Sequence, residues 1–224
     1  SGTIRFSDFY SKRLNVVVDF HSGGQESRQN AKSRYNGNSV TVIGGFRGRK
    51  EAGSKILIHV NKTIGSAKGN QANVALRTGT WNSDVVLSVD VGSSGRLYGA
   101  GGNGGQGADS WSDAGSTNGG SGGNGTSALG IEHEETAVNI QSGGRIRCGF
   151  VGGGGGSGAR QVDSGADRSA CGGGGGGGAG LPAGNGGARG NRRSGKEDEV
   201  TSGNPGSAGQ LEEHGEGGSG GNTA

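Results

Sequence analysis

The residues that could do chemistry in this chain are few and scattered. Gly190-Asn191-Arg192-Arg193-Ser194-Gly195-Lys196 has the G-x-x-x-x-G-K spacing of a loop that cradles phosphate. The next residue is Glu197, where such loops use Ser or Thr to hold Mg²⁺, and no apolar strand leads into it. With 57 glycines in 224 residues, matches of this kind and of G-x-G-x-x-G arise from composition alone. His133 lies between Glu132 and Glu134, but no second His or Cys stands at metal-ligand spacing. An exposed polar strand or turn is its plainer reading. His21, His59 and His214 are dispersed, and no nucleophile-elbow sequence offers a Ser or Cys to a base. Cys148 and Cys171 read as two buried free thiols rather than a disulfide. The expectation is a protein that is not an enzyme and takes no cofactor or metal.

What remains is chemistry suited to binding. Asp109-Ser110-Trp111-Ser112-Asp113 sets one aromatic among acids, and tryptophan often anchors interfaces. Arg160, Asp163, Asp167 and Arg168 mix signs within one stretch. Arg192, Arg193 and Lys196 stand beside Glu197, Asp198 and Glu199. Such patterns select a partner by charge arrangement rather than carry a reaction. The plainer alternative is solvated turns. Contact with a partner is preferred for the charged stretches, and Trp111 fits packing equally well.

The elements that must position these stretches are unusual. Gly172 to Gly178 is a run of seven glycines, and Gly152 to Gly156 a run of five. Glycine loses the most backbone freedom on folding and returns no buried side chain. Seven in a row therefore form either a flexible linker or a structure without room for any Cβ. Triplet spacing favours the second: Gly101-Gly102-Asn103 and Gly104-Gly105-Gln106, Gly119 to Asn124, Gly217 to Asn222, and single glycines at 203, 206 and 209. Polyproline-II helices have three residues per turn, so a Gly-Gly-Xaa repeat leaves two faces bare for neighbouring backbones. A linker has no reason to keep that phase or to carry Ile140, Ile146, Phe150, Leu181 and Leu211. Collagen is excluded by the polar inserts at 109–118, 160–170 and 189–202.

Glycine and charge divide the chain near Tyr98. Residues 1–98 hold 13 glycines and 14 Lys/Arg against 6 Asp/Glu, or +8; the rest hold 44 glycines and 8 against 13, or −5. The first part reads as β-rich: Leu14, Val16, Val18 and Phe20 alternate with polar residues, as do Val40 and Val42, then Ile56, Ile58 and Val60, then Val85, Leu87, Val89 and Val91. Gly23-Gly24 and Asn36-Gly37-Asn38 supply turns, and an antiparallel β-domain is expected. Short strands are also expected at Val138 to Ile140 and Arg145 to Phe150. The predicted fold is thus a mainly β N-terminal domain over 1–97 and a glycine-rich sandwich of packed polyglycine-II helices over 98–224, with almost no α-helix. Its scaffold is represented by Gly101, Gly102, Gly104, Gly105, Gly152, Gly154, Gly156, Gly172, Gly175 and Gly178. No apolar stretch is long enough to form a membrane helix, and no secretory signal is present. The sequence begins at Ser1 and reads as a piece of something longer.

Tyr98-Gly99-Ala100-Gly101-Gly102-Asn103-Gly104-Gly105, and Asn139 to Arg147 running into Gly152 to Gly156, resemble the adhesins at the long-tail-fibre tips of T-even bacteriophages. The resemblance covers roughly 97–224 well and 1–96 more loosely. Ile4 to Lys12 also looks like a segment common in phage tail-fibre proteins. In those adhesins stacked polyglycine-II helices carry hypervariable loops that contact outer-membrane receptors. The resemblance therefore implies a receptor-binding protein at the distal, virion-borne end of a tail fibre. Its partners would be an outer-membrane protein or lipopolysaccharide, and the rest of the fibre, to which the basic first part would face; a homotrimer is one arrangement. The receptor contacts would be Asp109, Trp111, Asp113, Arg160, Asp163, Asp167, Arg168, Arg192, Arg193, Lys196 and Glu197.

Three competitors stand beside it. Polyglycine-II bricks of the snow-flea antifreeze type bind ice, but long charged inserts would interrupt a flat ice-facing surface. A purely structural fibre segment would need no recognition loops. RNA binding needs arginine and aromatics interleaved with glycine, whereas the glycine-rich part is net acidic; nucleic acid is not expected as a partner.

Overall fold

Alternating apolar residues make one face of a strand wet and the other dry, and in this chain the dry faces stack in register. A computed structural model describes residues 15–20, 26–31, 41–43, 54–109, 118–163, 166–191 and 200–220. The expected turns at 23–24 and 36–38, the opening segment, Trp111, Asp113, Arg192, Arg193, Lys196 and Glu197 lie outside them. Apart from Ala31, which is helical, the defined elements among the described residues are strands: β1 (Asn15–Phe20), β2 (Glu26–Ser27), β3 (Gln29–Asn30), β4 (Thr41–Ile43), β5 (Lys55–Val60), β6 (Thr63–Gly65), β7 (Val74–Arg77), β8 (Val86–Val91), β9 (Arg96–Tyr98), β10 (Ser127–Gly130), β11 (Ala137–Ile140), β12 (Arg145–Arg147), β13 (Ala159–Asp163), β14 (Ala166–Ala170) and β15 (Val200–Thr201).

The first three sheets run β11-β8-β5-β1-β4, β10-β7-β3 and β12-β9-β6-β2. Successive turns of the chain, β1-β2-β3, β5-β6-β7, β8-β9-β10 and β11-β12, add strands to these sheets beside those of the turn before, with β4 an extra strand in the first. The β1–β5, β5–β8, β8–β11 and β3–β7 pairs are parallel, so the connectivity is that of a parallel β-solenoid. The antiparallel expectation is corrected here: those four pairs are parallel, and in these sheets β4 against β1 is an antiparallel exception. An outward wet face and an inward dry one give the same alternation whether neighbours are hairpin partners or successive coils.

Contacts divide the chain into two units. The first comprises Ser1–Ile64, Leu76–Leu97 and Leu129–Ile146. Its core is a set of ladders, Val18 opposite Ile58 opposite Val89, and Phe20 opposite Val60 opposite Val91, all fully buried. The outward ladder is polar. Asp19 Oδ1 lies 3.3 Å from His59 Nδ1, and Asp90 accepts hydrogen bonds from Asn139 and Gln141 at 2.6 and 2.8 Å. β11 is one edge strand of its sheet and β4 the other. Val138 and Ile140 continue the dry ladder beyond Val89 and Val91 but are 40% and 49% exposed.

The second unit comprises Gly65–Ala75, Tyr98–Ala128 and Arg147–Ala224. Seven extended segments fill most of it: I (99–108), II (118–126), III (149–157), IV (171–180), V (182–191), VI (203–210) and VII (213–220). They bond to one another backbone to backbone, and the bonds recur every third residue. Gly102, Gly105 and Ala108 of I donate to Phe150, Gly153 and Gly156 of III; Gly101, Gly104 and Gly107 donate to Pro182, Asn185 and Ala188 of V. Gly120, Gly123 and Thr126 of II donate back to I, and Gly149, Gly152 and Gly155 of III donate to II.

Segment IV is the hub. It donates to I and VI and accepts from III, V and VII, so the seven segments lie in three tiers: II–III, I–IV–VII and V–VI. This explains the seven-glycine run. A Cβ at any residue from Gly172 to Gly178 would come within 1.9–2.1 Å of a neighbouring carbonyl oxygen. In the five-glycine run only Gly152 and Gly155 are so confined, at 2.1 and 1.9 Å, because III lies in an outer tier. At the ends, Tyr98 is buried with its hydroxyl 3.1 Å from Glu212 Oε1, and Arg147 pairs with the same carboxylate at 3.5 Å.

Candidate functional site

The hydrogen-bond register fixes which ends of the glycine segments lie together. Ala108 bonds to Gly156 and Gly172, Gly190 to Gly172, Gly156 to Gly173, and Asn204 to both Gly174 and Ser219. One end of the lattice therefore gathers the last residues of I, III, V and VII and the first of II, IV and VI. Three inserts spring from that end: 109–118 between I and II, 158–170 between III and IV, and 191–202 between V and VI. Those are the polar stretches singled out by composition. At the other end 181 joins IV to V and 211–212 join VI to VII tightly, while II and III are joined by 127–148 through β10, β11 and β12.

The inserts are tied at their roots. Asp109 is exposed, and its Oδ1 accepts a 2.7 Å hydrogen bond from the Asn191 amide, which links the first insert to the third. Two triplets earlier, Asn103 Oδ1 accepts from the Asn185 amide at 2.9 Å, so this bridge is an in-phase feature of segments I and V. Cys171 is buried with Sγ 3.5 Å from the Asn191 carbonyl. The expectation of two buried thiols is corrected at Cys148, which is free but exposed, since it follows β12 at the edge of its sheet.

The second insert differs from the irregular loop its composition predicts. β13 and β14 form an antiparallel hairpin, with Arg160 opposite Ser169, Gln161 opposite Arg168, Val162 opposite Asp167 and Asp163 opposite Ala166. β15, from the third insert, pairs in parallel with β14 through Ser169–Val200 and Ala170–Thr201. Backbone pairing needs no apolar pattern, so composition gave no signal of it. The hairpin thus brings Arg160, Asp163, Asp167 and Arg168 onto one small sheet shared with the root of the third insert. Trp111, Asp113, Arg192, Arg193, Lys196 and Glu197 belong to the described roots only by sequence.

A concavity of about 500 Å³ lies in the first unit among Trp81, Val86, Glu132, His133, Glu134 and Glu135. Three of its polar groups are engaged internally. Trp81 Nε1 donates to the Thr78 carbonyl at 2.9 Å, His133 Nε2 lies 2.8 Å from the Val85 carbonyl, and Glu132 pairs with Arg77. His133 is half-buried in a turn, bonded to backbone rather than aimed at a reactant.

The arrangement as a whole is a tightly bonded scaffold that presents three polar inserts at one end. The family model described as phage tail fibre adhesin Gp38 matches residues 20–224. No curated relative and no solved structure matches the chain.

Proposed function

The chain belongs to the phage tail fibre adhesin Gp38 family, and from that premise we propose that it is the receptor-binding tip of the fibre. Family membership makes it a virion-associated protein that binds a host receptor at the cell surface. The finer reading is that it sits at the distal end and grips an outer-membrane protein through the three inserts. The observation that carries this reading is their common origin at one end of the lattice. Segments bonded every third residue support reading the scaffold as polyglycine-II helices, as in the T-even adhesins that the sequence resembles. A scaffold held by its own backbone leaves the inserts free to vary.

In this reading Trp111 and Asp113 act from the first insert, Arg160, Asp163, Asp167 and Arg168 from the second, and Arg192, Arg193, Lys196 and Glu197 from the third. Asp109 fixes the root of the first against the third through Asn191. The mechanism is adhesion without a covalent step, strengthened when several fibres engage together.

The test exchanges inserts. Chimeric fibres carrying the 109–118, 158–170 and 191–202 inserts of a phage with another host should adsorb to that host. Chimeras that keep the original host range would remove the inserts from their assigned role. Purified chain should also block adsorption of the parent phage, and loss of the block on cells lacking one surface protein names the receptor.

A further inference from the structure

Segment IV has five bonded neighbours where hexagonal packing offers six positions, and no segment among the described residues takes the sixth. Its amides fall into three sets. Gly172, Gly175 and Gly178 donate to I, and Gly174, Gly177 and Gly180 donate to VI. Gly173, Gly176 and Ala179 donate to no backbone carbonyl among the described residues. With three residues per turn the sets point about 120° apart. Segment V lies between the first two directions, since it donates to the carbonyls of Gly172, Gly175 and Gly178. Segments III and VII donate to the remaining carbonyls. The third set of amides therefore faces a notch whose floor is IV and whose walls are III and VII.

The walls bear this out. Phe150 of III and His214 of VII meet edge to face across the notch, with ring centroids 4.7 Å apart, and close one end of it. One and two triplets further along the same rows stand Gly153 and Gly156 on III, and Gly217 and Gly220 on VII. All four are exposed, while residues 171–180 beneath them are buried. Internal packing does not impose glycine here as it does in IV. A Cβ would first meet an atom at 3.3 Å for Gly153 and Gly156, at 3.8 Å for Gly217, and nothing within 4 Å for Gly220. Those first atoms at Gly153 and Gly156 are the nitrogens of Gly176 and Gly173. Glycine on this wall therefore keeps the two donors uncovered.

We propose that the notch is a docking site for one extended, glycine-rich segment of a partner protein, whose carbonyls accept hydrogen bonds from Gly173 and Gly176. Like amides in IV repeat every three residues, roughly 9 Å apart, which matches a chain of polyproline-II pitch. A β-strand repeats every two residues, at about 6.6 Å, and falls out of step. Bare glycine walls admit backbone, not bulky side chains. Hydrogen bonds accepted from these two amides give such a segment its binding energy. This site is separate from the inserts and does not depend on their role.

The experiment uses the full ¹⁵N-labelled chain and a synthetic peptide, Gly-Gly-Ser-Gly-Gly-Asn-Gly-Gly-Ser. In the free chain the Gly173 and Gly176 amides should exchange with solvent at least about tenfold faster than those of Gly172 and Gly175. Added peptide should slow them by a similar factor and shift resonances at the notch residues alone. Gly220→Val, which meets no neighbour, should fold normally and abolish the response; Gly153→Val is the second blocking variant. A strand-forming Val-Thr repeat peptide should have no effect. Equal protection of all four amides in the free chain would overturn the proposal. So would no response up to millimolar peptide, or a response that survives in Gly220→Val.

Discussion

Gly175→Ala tests the logic of the lattice at its hub. The new Cβ would lie 2.0 Å from the Gly153 carbonyl oxygen and 2.6 Å from its carbon. Ordinary contact begins at 3.4 Å, so III and IV must part by about 1.4 Å. Their three shared bonds, Phe150 to Ala179, Gly153 to Gly176 and Gly156 to Gly173, are 2.8–2.9 Å long. Such a displacement takes them past the ~3.2 Å limit of a good N–H···O bond. At about 1 kcal/mol net for each bond, and more for donors left unsatisfied, the cost is roughly 3–6 kcal/mol. Restricting the unfolded chain returns only about 0.4–1 kcal/mol. Gly154→Ala is the matched control, because its nearest neighbour would be 3.8 Å away. It should be neutral or stabilise by up to about 1 kcal/mol. Urea unfolding followed by circular dichroism measures both. A Gly175→Ala protein within about 0.5 kcal/mol of the parent, or a Gly154→Ala protein damaged as badly, would refute the reasoning.

Three further outcomes are expected. Asp109→Ala should cost about 1 kcal/mol and speed amide exchange at Asn191, because the bridge between the first and third inserts is lost; unchanged exchange there would show that the bridge does not hold the roots. Ile58→Ala removes a fully buried side chain between Val18 and Val89 and should destabilise by about 2–5 kcal/mol in calorimetry. A thiol reagent should modify Cys148 in the native protein and Cys171 only on unfolding, and rapid labelling of both would contradict the burial of Cys171.

The apolar alternation was legible because burial imposes it: Ile56, Ile58 and Val60, then Leu87, Val89 and Val91, face the core as their spacing predicts. Pairing direction was not legible. Val18 meets Ile58, Ile58 meets Val89, and Val89 meets Val138, each a full coil away in sequence. The last of these gaps contains segments I and II, so no local pattern could join its ends. The seven-glycine run announced a place without room for side chains. What it could not announce is that Gly154 and Gly217 have room to spare, since that depends on the tier each segment occupies. In the candidate site, composition marked the three inserts as polar. Their gathering at one end follows from the register of I, III, IV and V, and the link from Asp109 to Asn191 spans 82 residues.

That lattice also sets a timetable. No segment bonds to itself, and IV gains its acceptors and donors only from chain on both sides of it, I and III before and V to VII after. Half an assembly therefore pays the ordering entropy of glycine with few of the bonds that offset it. Folding should show one slow, concerted phase, with little structure until the final segments arrive. The reverse journey meets the same barrier, because no single segment can peel away without breaking rows of bonds. For a protein that must wait outside any cell, without chaperones, durability measured in half-life is the property that counts.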